Sequence, residues 1–372
     1  MKTLLFKYTL IALLVKYTLI ALLALPVMAL ANNGDLKGKY TKEKTIKKEY
    51  DVNSDALLKI RNSYGNITLS SWNENRVVIE VHIKTSGNNE SKVQEKLDKI
   101  TVDFEASSDM VSAKTIFNKN KGSWDWNWGK SNNVNMQINY TIKLPVKNSV
   151  HLNNDYGNIM LDRIDGHAKI SCDYGRLEIG ELHGRNNELK FDYTSKSTIE
   201  YVNSAKISAD YSGFTIQKAG NLYVSADYTN AAIGQMENLE YTSDYGKLEV
   251  DEANNVQGNG DYINVKLGTI HGNVDINADY GSVGIANMAQ DAGNVSIRTD
   301  YTGIKIGYDP MYNFNFEIST EYAGVSGKDD FDISISKEKS TERYYKGFYG
   351  NAGSENMISI TSDYGSITFS KN

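Results

Sequence analysis

An acid beside a tyrosine recurs along this chain. The pair stands at Asp155-Tyr156, Asp173-Tyr174, Asp192-Tyr193, Asp210-Tyr211, Asp227-Tyr228, Asp244-Tyr245, Asp261-Tyr262, Asp279-Tyr280, Asp300-Tyr301 and Asp363-Tyr364, with Glu321-Tyr322 as a variant. Carboxylates in a row could supply paired acid and base groups for glycoside cleavage, or oxygen ligands for a file of calcium ions. Five histidines, His82, His151, His167, His183 and His271, are candidate transition-metal ligands. In "GSWDWNWGK" (122–130), Trp124, Trp126 and Trp128 alternate, so in a strand all three face one way. Such indoles stack on sugar rings, enter a lipid interface or anchor a protein partner. The plainer alternative is a hairpin tip folded over a core. Cys172 is the only cysteine, which excludes an internal disulfide.

The elements that would position these groups follow from the spacing. From Tyr156 to Tyr280 successive tyrosines are 18, 19, 18, 17, 17, 17 and 18 residues apart, then 21 twice to Tyr322. Self-similarity at a fixed short period marks stacked repeats. Four residues before most of these tyrosines lie large apolar residues: Leu152, Ile170, Leu189, Ile207, Val224, Tyr241, Ile276, Ile297 and Ile318. Two before are mostly small residues, among them Cys172, Ala209, Ala226, Ser243 and Gly260. Aliphatic positions return three and five residues after, as in Ile159 and Leu161 or Leu248 and Val250. Alternation on both sides means two short strands per repeat, and the one-residue phase shift just after the tyrosine marks a bend. One such unit cannot bury its apolar face alone but can share a core with stacked neighbours. The expected fold is all-β: a single-stranded β-solenoid, or β-helix, of about 12 short-period rungs. Stacked at about 4.8 Å per rung, the stretch from 148 onward would be a rod on the order of 50 Å long.

In that frame the tyrosines are expected to stack as a ladder, inside or at a corner. Each neighbouring acid is expected to accept backbone N–H groups at its own bend, as Asp does in Asx-turns. The Gly-Gly-x-Gly-x-Asp nonapeptide of calcium-binding β-helices is absent, which disfavours a calcium file and leaves it open. His183 and His271 share a repeat offset five coils apart, on the order of 24 Å, too far for one metal. Neither a G-x-S-x-G nor an H-E-x-x-H motif occurs. Asp162 and Asp251 share an offset but also lie five rungs apart. The reading is of a non-enzyme with no catalytic residue, no metal and no cofactor. Trp124, Trp126 and Trp128 are its candidate contact residues.

The remaining segments fit around the repeat. Lys2, Lys7 and Lys16 precede an uncharged run ending Ala29-Leu30-Ala31, the form of a signal peptide over 1–31. "KYTLIALL" occurs twice within it, at 7–14 and 16–23. Residues 32–50, with six lysines against three acids, read as a flexible basic leader. Over 51–147, "LLKIRNSYGNITLSSW" (57–72) fits the repeat template as a first rung. A β-rich cap follows, with strands near 76–85, 101–106, 109–117 and 134–144 and one short helix from Val93, Leu97 and Ile100. Residues 148–372 carry the repeat, broken at about 328–357 by an insertion whose "ERYYKGFYGNAG" reads as an exposed loop and second contact region. Without 1–31 the chain has 37 basic and 46 acidic groups. A mildly acidic protein is a poor partner for nucleic acid or anionic lipid.

The rung "SDYGSITF", the leading "LLKIRNSYGNITLSSW" and the helix "SKVQEKLDKI" resemble a secreted bacterial β-strand-repeat family of unknown function whose members are labelled candidate adhesins. The resemblance covers roughly 50–372 and brings no catalytic residues. It implies an exported, non-enzymatic protein of the periplasm, outer surface or medium. The expected role is adhesin-like binding or scaffolding toward an envelope or surface protein or glycan, with no transmembrane segment in the mature chain. A carbohydrate-active enzyme and an envelope-stress sensing module are the alternatives.

Overall fold

The computed structural model describes residues 36, 38–117 and 134–372. Two compact units divide the chain, 1–36 and 37–372, and every element below belongs to the second. The signal segment read over 1–31 lies outside the described residues.

Among the described residues are 27 strands, joined in one large sheet, and one helix, so the fold is all-β with a single helix. Each repeat contributes strand on both sides of its tyrosine, and as far as Val295–Asp300 and Gly303–Tyr308 each strand pairs in parallel with its counterpart in the next repeat. Before the tyrosine, Ser149–Asp155 pairs with Ala168–Asp173, which pairs with Asn187–Asp192. After it, Ile159–Ile164 pairs with Leu177–Leu182. Further on, Gly213–Ser225, Asn230–Thr242 and Gly246–Asp261 each run from one tyrosine to the next acid. The registers align Leu161, Ile179, Ile199, Ile216, Ile233, Val250, Leu267, Ile285 and Ile306 in one buried column. Burying each such side chain contributes roughly 1.5–3 kcal/mol, available only when a neighbour covers it.

One inward column has a gap with a physical cause. Where its neighbours carry Val224 and Ile276, residue 258 is glycine, paired with Tyr241 of the preceding repeat. The Tyr241 ring fills the missing space: a Cβ at 258 would stand 2.0 Å from its Cε1. The Tyr241 hydroxyl is buried and has no hydrogen-bond partner.

The 57–72 stretch does join the stack. Leu57–Ser63 pairs in parallel with Ser149–Asp155, and Ile67–Trp72 with Ile159–Ile164. Its opposite edges are covered by Met110–Ile116 and Val134–Pro145. The helix Glu90–Lys99 starts at Asn89, whose side chain accepts from the Lys92 N–H, and it buries Val93 and Leu97.

Two expectations are corrected. The basic leader is not flexible beyond residue 39, because Tyr40–Asp51 is a strand paired along its whole length with Arg76–Gly87. Lys44 Nζ donates to the Leu97 carbonyl at the helix end, and Lys42 pairs with Glu90. The 328–357 insertion is not a loop either. Asp332–Glu338 and Glu342–Tyr349 form an antiparallel hairpin against Phe314–Glu321. Tyr345 is buried, and Phe331 joins Tyr308, Phe314, Phe316 and Phe369 in an aromatic cluster over the core.

The last repeat is out of chain order. Met357–Asp363 lies between Val295–Asp300 and Phe314–Glu321, parallel to both. Ile367–Lys371 likewise pairs with Gly303–Tyr308 and Val325–Ser326. The C-terminal strands therefore slot between two earlier repeats.

Candidate binding surface

Twelve tyrosines, Tyr64 and those of the eleven acid–tyrosine pairs, have left-handed backbone, with φ between 51° and 65°. That conformation costs a non-glycine residue on the order of 1–3 kcal/mol, and it explains the phase shift in the sequence. It also turns the side chain outward. The rings are 40–54 % exposed, so the ladder stands on an outer corner and not inside the core. The small residues two positions earlier face inward and do not make room for the ring. Consecutive rings stack with centroids 4.6–5.3 Å apart and planes within 8° of parallel. The order runs Tyr301, Tyr364, Tyr322, following the inserted last repeat.

The acids satisfy the neighbouring repeat, not their own bend. Asp173, Asp192, Asp210, Asp227 and Asp244 each accept on Oδ1 the backbone N–H of the next aspartate, at 3.3, 3.1, 3.1, 3.1 and 2.8 Å. Every one of these tyrosine N–H groups except that of Tyr322, which meets the Thr341 carbonyl, donates in turn to the adjacent repeat's acid carbonyl, as Tyr228 does to Asp244 at 2.9 Å. Parallel stacking at one strand spacing presents these groups to each other, whereas an Asx-turn would use them within one repeat. Burial and then the flanking phenols hold Tyr174, Tyr245 and Tyr280 above the usual tyrosine range, so these rings are neutral at pH 7.

Burial first, then the Asp173 and Asp210 charges, raise the Asp192 carboxyl above its usual range, against the opposing N–H bond from Asp210. A raised carboxylate pKa means that the native state holds its proton longer than the unfolded chain. Stability therefore falls as pH rises through the unfolded and then the folded value. Asp192→Asn keeps an oxygen for the Asp210 N–H and removes the charge. It is expected to add about 0.5 kcal/mol at pH 7 and nothing at pH 3, where both side chains are neutral; urea midpoints at the two pH values check this.

A second surface was missed in the sequence. Asn221, Asn238, Asn255 and Asn273 align in adjacent repeats and bond amide to amide. Asn238 Nδ2 donates to Asn221 Oδ1 at 2.6 Å, Asn255 to Asn238 at 2.7 Å and Asn273 to Asn255 at 3.2 Å. These asparagines form one wall of an open groove of about 890 Å³. Its other wall is an outward column of Glu188, Lys206, Tyr223, Glu240, Gln257 and Asp275. Tyr223 is exposed there, with Lys206 Nζ 5.4 Å from its ring centre. The available signal was an asparagine 17 or 18 residues from the next, hidden by the chain's general richness in asparagine.

The other candidate groups do not converge on one site. His183 contacts Glu181 at 2.6 Å, and His271 contacts Asp291 at 2.9 Å in a separate turn. Asp162 accepts the backbone N–H of Ser71. Cys172 is buried, and burial pushes its thiol up to about 12, so it is inert. No group of three or more His, Cys, Asp or Glu among the described residues is arranged to hold a metal. No described helix is long and apolar enough to cross a membrane. Trp124, Trp126 and Trp128 lie outside the described residues.

No protein-family model and no curated protein matches the chain. It is similar to a candidate cell adhesion protein from Clostridium sporogenes ATCC 15579, at 14 % identity over 89 % of this chain and 100 % of that one, with TM-score 0.18. It is also similar to a candidate adhesin from Parabacteroides merdae ATCC 43184, at 10 % identity over 88 % and 96 % of the two chains, with TM-score 0.36. A candidate lipid binding protein from Parabacteroides distasonis ATCC 8503 aligns at 10 % identity over 88 % and 96 %, with TM-score 0.29. Likenesses this loose transfer neither name to this chain.

Proposed function

We propose that this protein is an exported, non-catalytic β-solenoid of about twelve rungs that acts at the cell envelope or surface by adhesin-like binding or scaffolding. The parallel registers from Leu57 to Lys371 support the winding, since each repeat meets only its neighbours along most of the stack. The Asn-lined groove carries the functional reading. It is open, polar and several repeats long, and it offers amides, carboxylates and one exposed aromatic face. That is the chemistry that holds hydroxyl-rich chains: multiple hydrogen bonds and ring stacking on a rigid platform. A glycan is therefore the favoured partner class, with Trp124, Trp126 and Trp128 as a second candidate contact.

The rival is a carbohydrate-active enzyme. Its nearest carboxylate pair in the groove, Glu240 and Asp275, stands two repeats apart, roughly 9.6 Å by strand spacing. Both are exposed on the open face of the groove. Titration of the mature protein with an envelope polysaccharide panel tests both ideas. Binding without cleavage is expected, weakened about fivefold or more by Tyr223→Ala, since stacking on one aromatic is worth about 1–3 kcal/mol. Cleaved products, or new unsaturated ends, would overturn the non-enzyme reading. Binding that survives Tyr223→Ala but falls in the triple Trp124, Trp126 and Trp128→Ala variant would move the site to the tryptophan segment.

A further inference from the structure

The stack ends at the hairpin strand Asp332–Glu338. It pairs only with Glu342–Tyr349, so among the described residues its other edge has no partner. All seven of its residues are exposed, including Ile333 and Ile335 at 39 % and 40 %. Another single-paired strand of the sheet, Tyr40–Asp51, carries Lys42, Lys44, Lys47 and Lys48, the kind of charge that blunts an edge against pairing. Residues 332–336 carry no lysine and two exposed isoleucines. An open edge with apolar side chains is a template for another strand.

The charges on this strand say which one. Asp329, Asp330 and Asp332, with Lys328 before them, lie on one side of the Ile333-Ser334-Ile335 centre, a net −2; Lys337 and Lys339 lie on the other, with Glu338 between them held by the Tyr345 hydroxyl, a net +1. Set antiparallel, two copies place each acidic half opposite the other's lysines; set parallel and in register, they place like on like. Opposite charges across strands stabilise and like charges repel. The present ties of these groups are exposed ones, Asp330 to Lys371 and Lys339 to Glu342, and side chains at a surface re-pair at little cost. The register shift between Ile333 and Ile335 bends the strand, which limits contact to one short stretch.

We infer that the Asp332–Glu338 edge pairs with the same strand of a second copy of this chain, antiparallel about a two-fold axis near Ser334–Ile335. Such pairing uses one edge from each copy and closes at two. A single strand pair falls below the roughly 1,200 Å² of a stable interface, so the dimer is weak and forms with rising concentration. Two copies joined this way double the number of grooves facing a polyvalent surface.

Sedimentation equilibrium of the mature chain from about 1 µM to about 1 mM spans the affinities expected of so small an interface. A monomer–dimer equilibrium is expected, weakened by salt, with slowed amide exchange in 332–338 at high concentration. Asp332→Lys and Lys337→Glu are each expected to weaken the dimer roughly tenfold by turning attraction into repulsion at both symmetric positions. The double variant, which exchanges the two charges, is expected to regain the original affinity, and that recovery also shows that each variant folds. A chain that stays monomeric over the whole range overturns the inference. So does a dimer that neither single variant weakens, or one whose exchange protection appears elsewhere.

Discussion

Tyr228→Val is expected to cost about 3–5 kcal/mol, more than an exposed side chain normally contributes. Tyr228 has φ 53° and stacks on Tyr211 and Tyr245 at 4.8 Å each. Each stacked contact contributes about 0.5–1.5 kcal/mol. A β-branched residue tolerates left-handed backbone poorly and adds strain on the order of 1–3 kcal/mol. Tyr228→Gly separates the two terms, because glycine loses the stacking but adopts positive φ freely. The glycine variant is therefore expected to be more stable than the valine variant by at least 1 kcal/mol. Equilibrium urea unfolding measures the order. If glycine and valine cost the same, the left-handed corner contributes nothing to the choice of residue.

Gly258→Val is the second large effect. Its Cβ would meet the buried Tyr241 ring at 2.0–2.3 Å, with no solvent into which the ring could turn. Overpacking a filled core costs about 1–3 kcal/mol or more, and this is the severe end. Tyr241→Val alone leaves the ring's space empty above Gly258 and is expected to cost about 3–5 kcal/mol. Together the two changes put valine at both positions between Val224 and Ile276. The column then matches its neighbours in shape, and most of both losses should be recovered. A double-mutant cycle reads that recovery as a coupling of several kcal/mol; simple additivity would contradict the packing described for this pair. Tyr241→Phe removes the unpartnered buried hydroxyl and is expected to stabilise by about 1 kcal/mol.

The inward columns were legible because burial enforces alternation: Ile159 with Leu161 and Leu248 with Val250 could face only a shared core. The glycine at 258 was legible as an exception but not as a cause, since nothing in one strand says that the neighbouring tyrosine lies over it. Of the two places expected for the tyrosine ladder, inside or at a corner, the left-handed backbone selects the corner, which alternation in the flanking strands does not reveal. The order of the last repeat was not legible at all. The stretch 357–371 meets the same template as its neighbours, and a period reports likeness, not sequence in space. The stretch 342–353 reads as a loop because it breaks the period of the repeat, although Tyr345 and Gly347 alternate toward the buried side of the hairpin. The groove depends on asparagines from four repeats, each ordinary in its own.

Equivalent residues of stacked repeats stand one strand spacing apart. Spin labels on the outward column that contains Thr198, Lys266, Lys305 and Thr368 test it, and buried Cys172 does not compete for label. With cysteine at 198 and at one other site, pulsed dipolar distances of about 19, 29 and 34 Å are expected to 266, 305 and 368, from four, six and seven spacings of about 4.8 Å. Residue 368 must fall a single step beyond 305 although they are 63 positions apart in the sequence. Distances that do not rise by a constant step, or a 368 label several steps farther out, would contradict it.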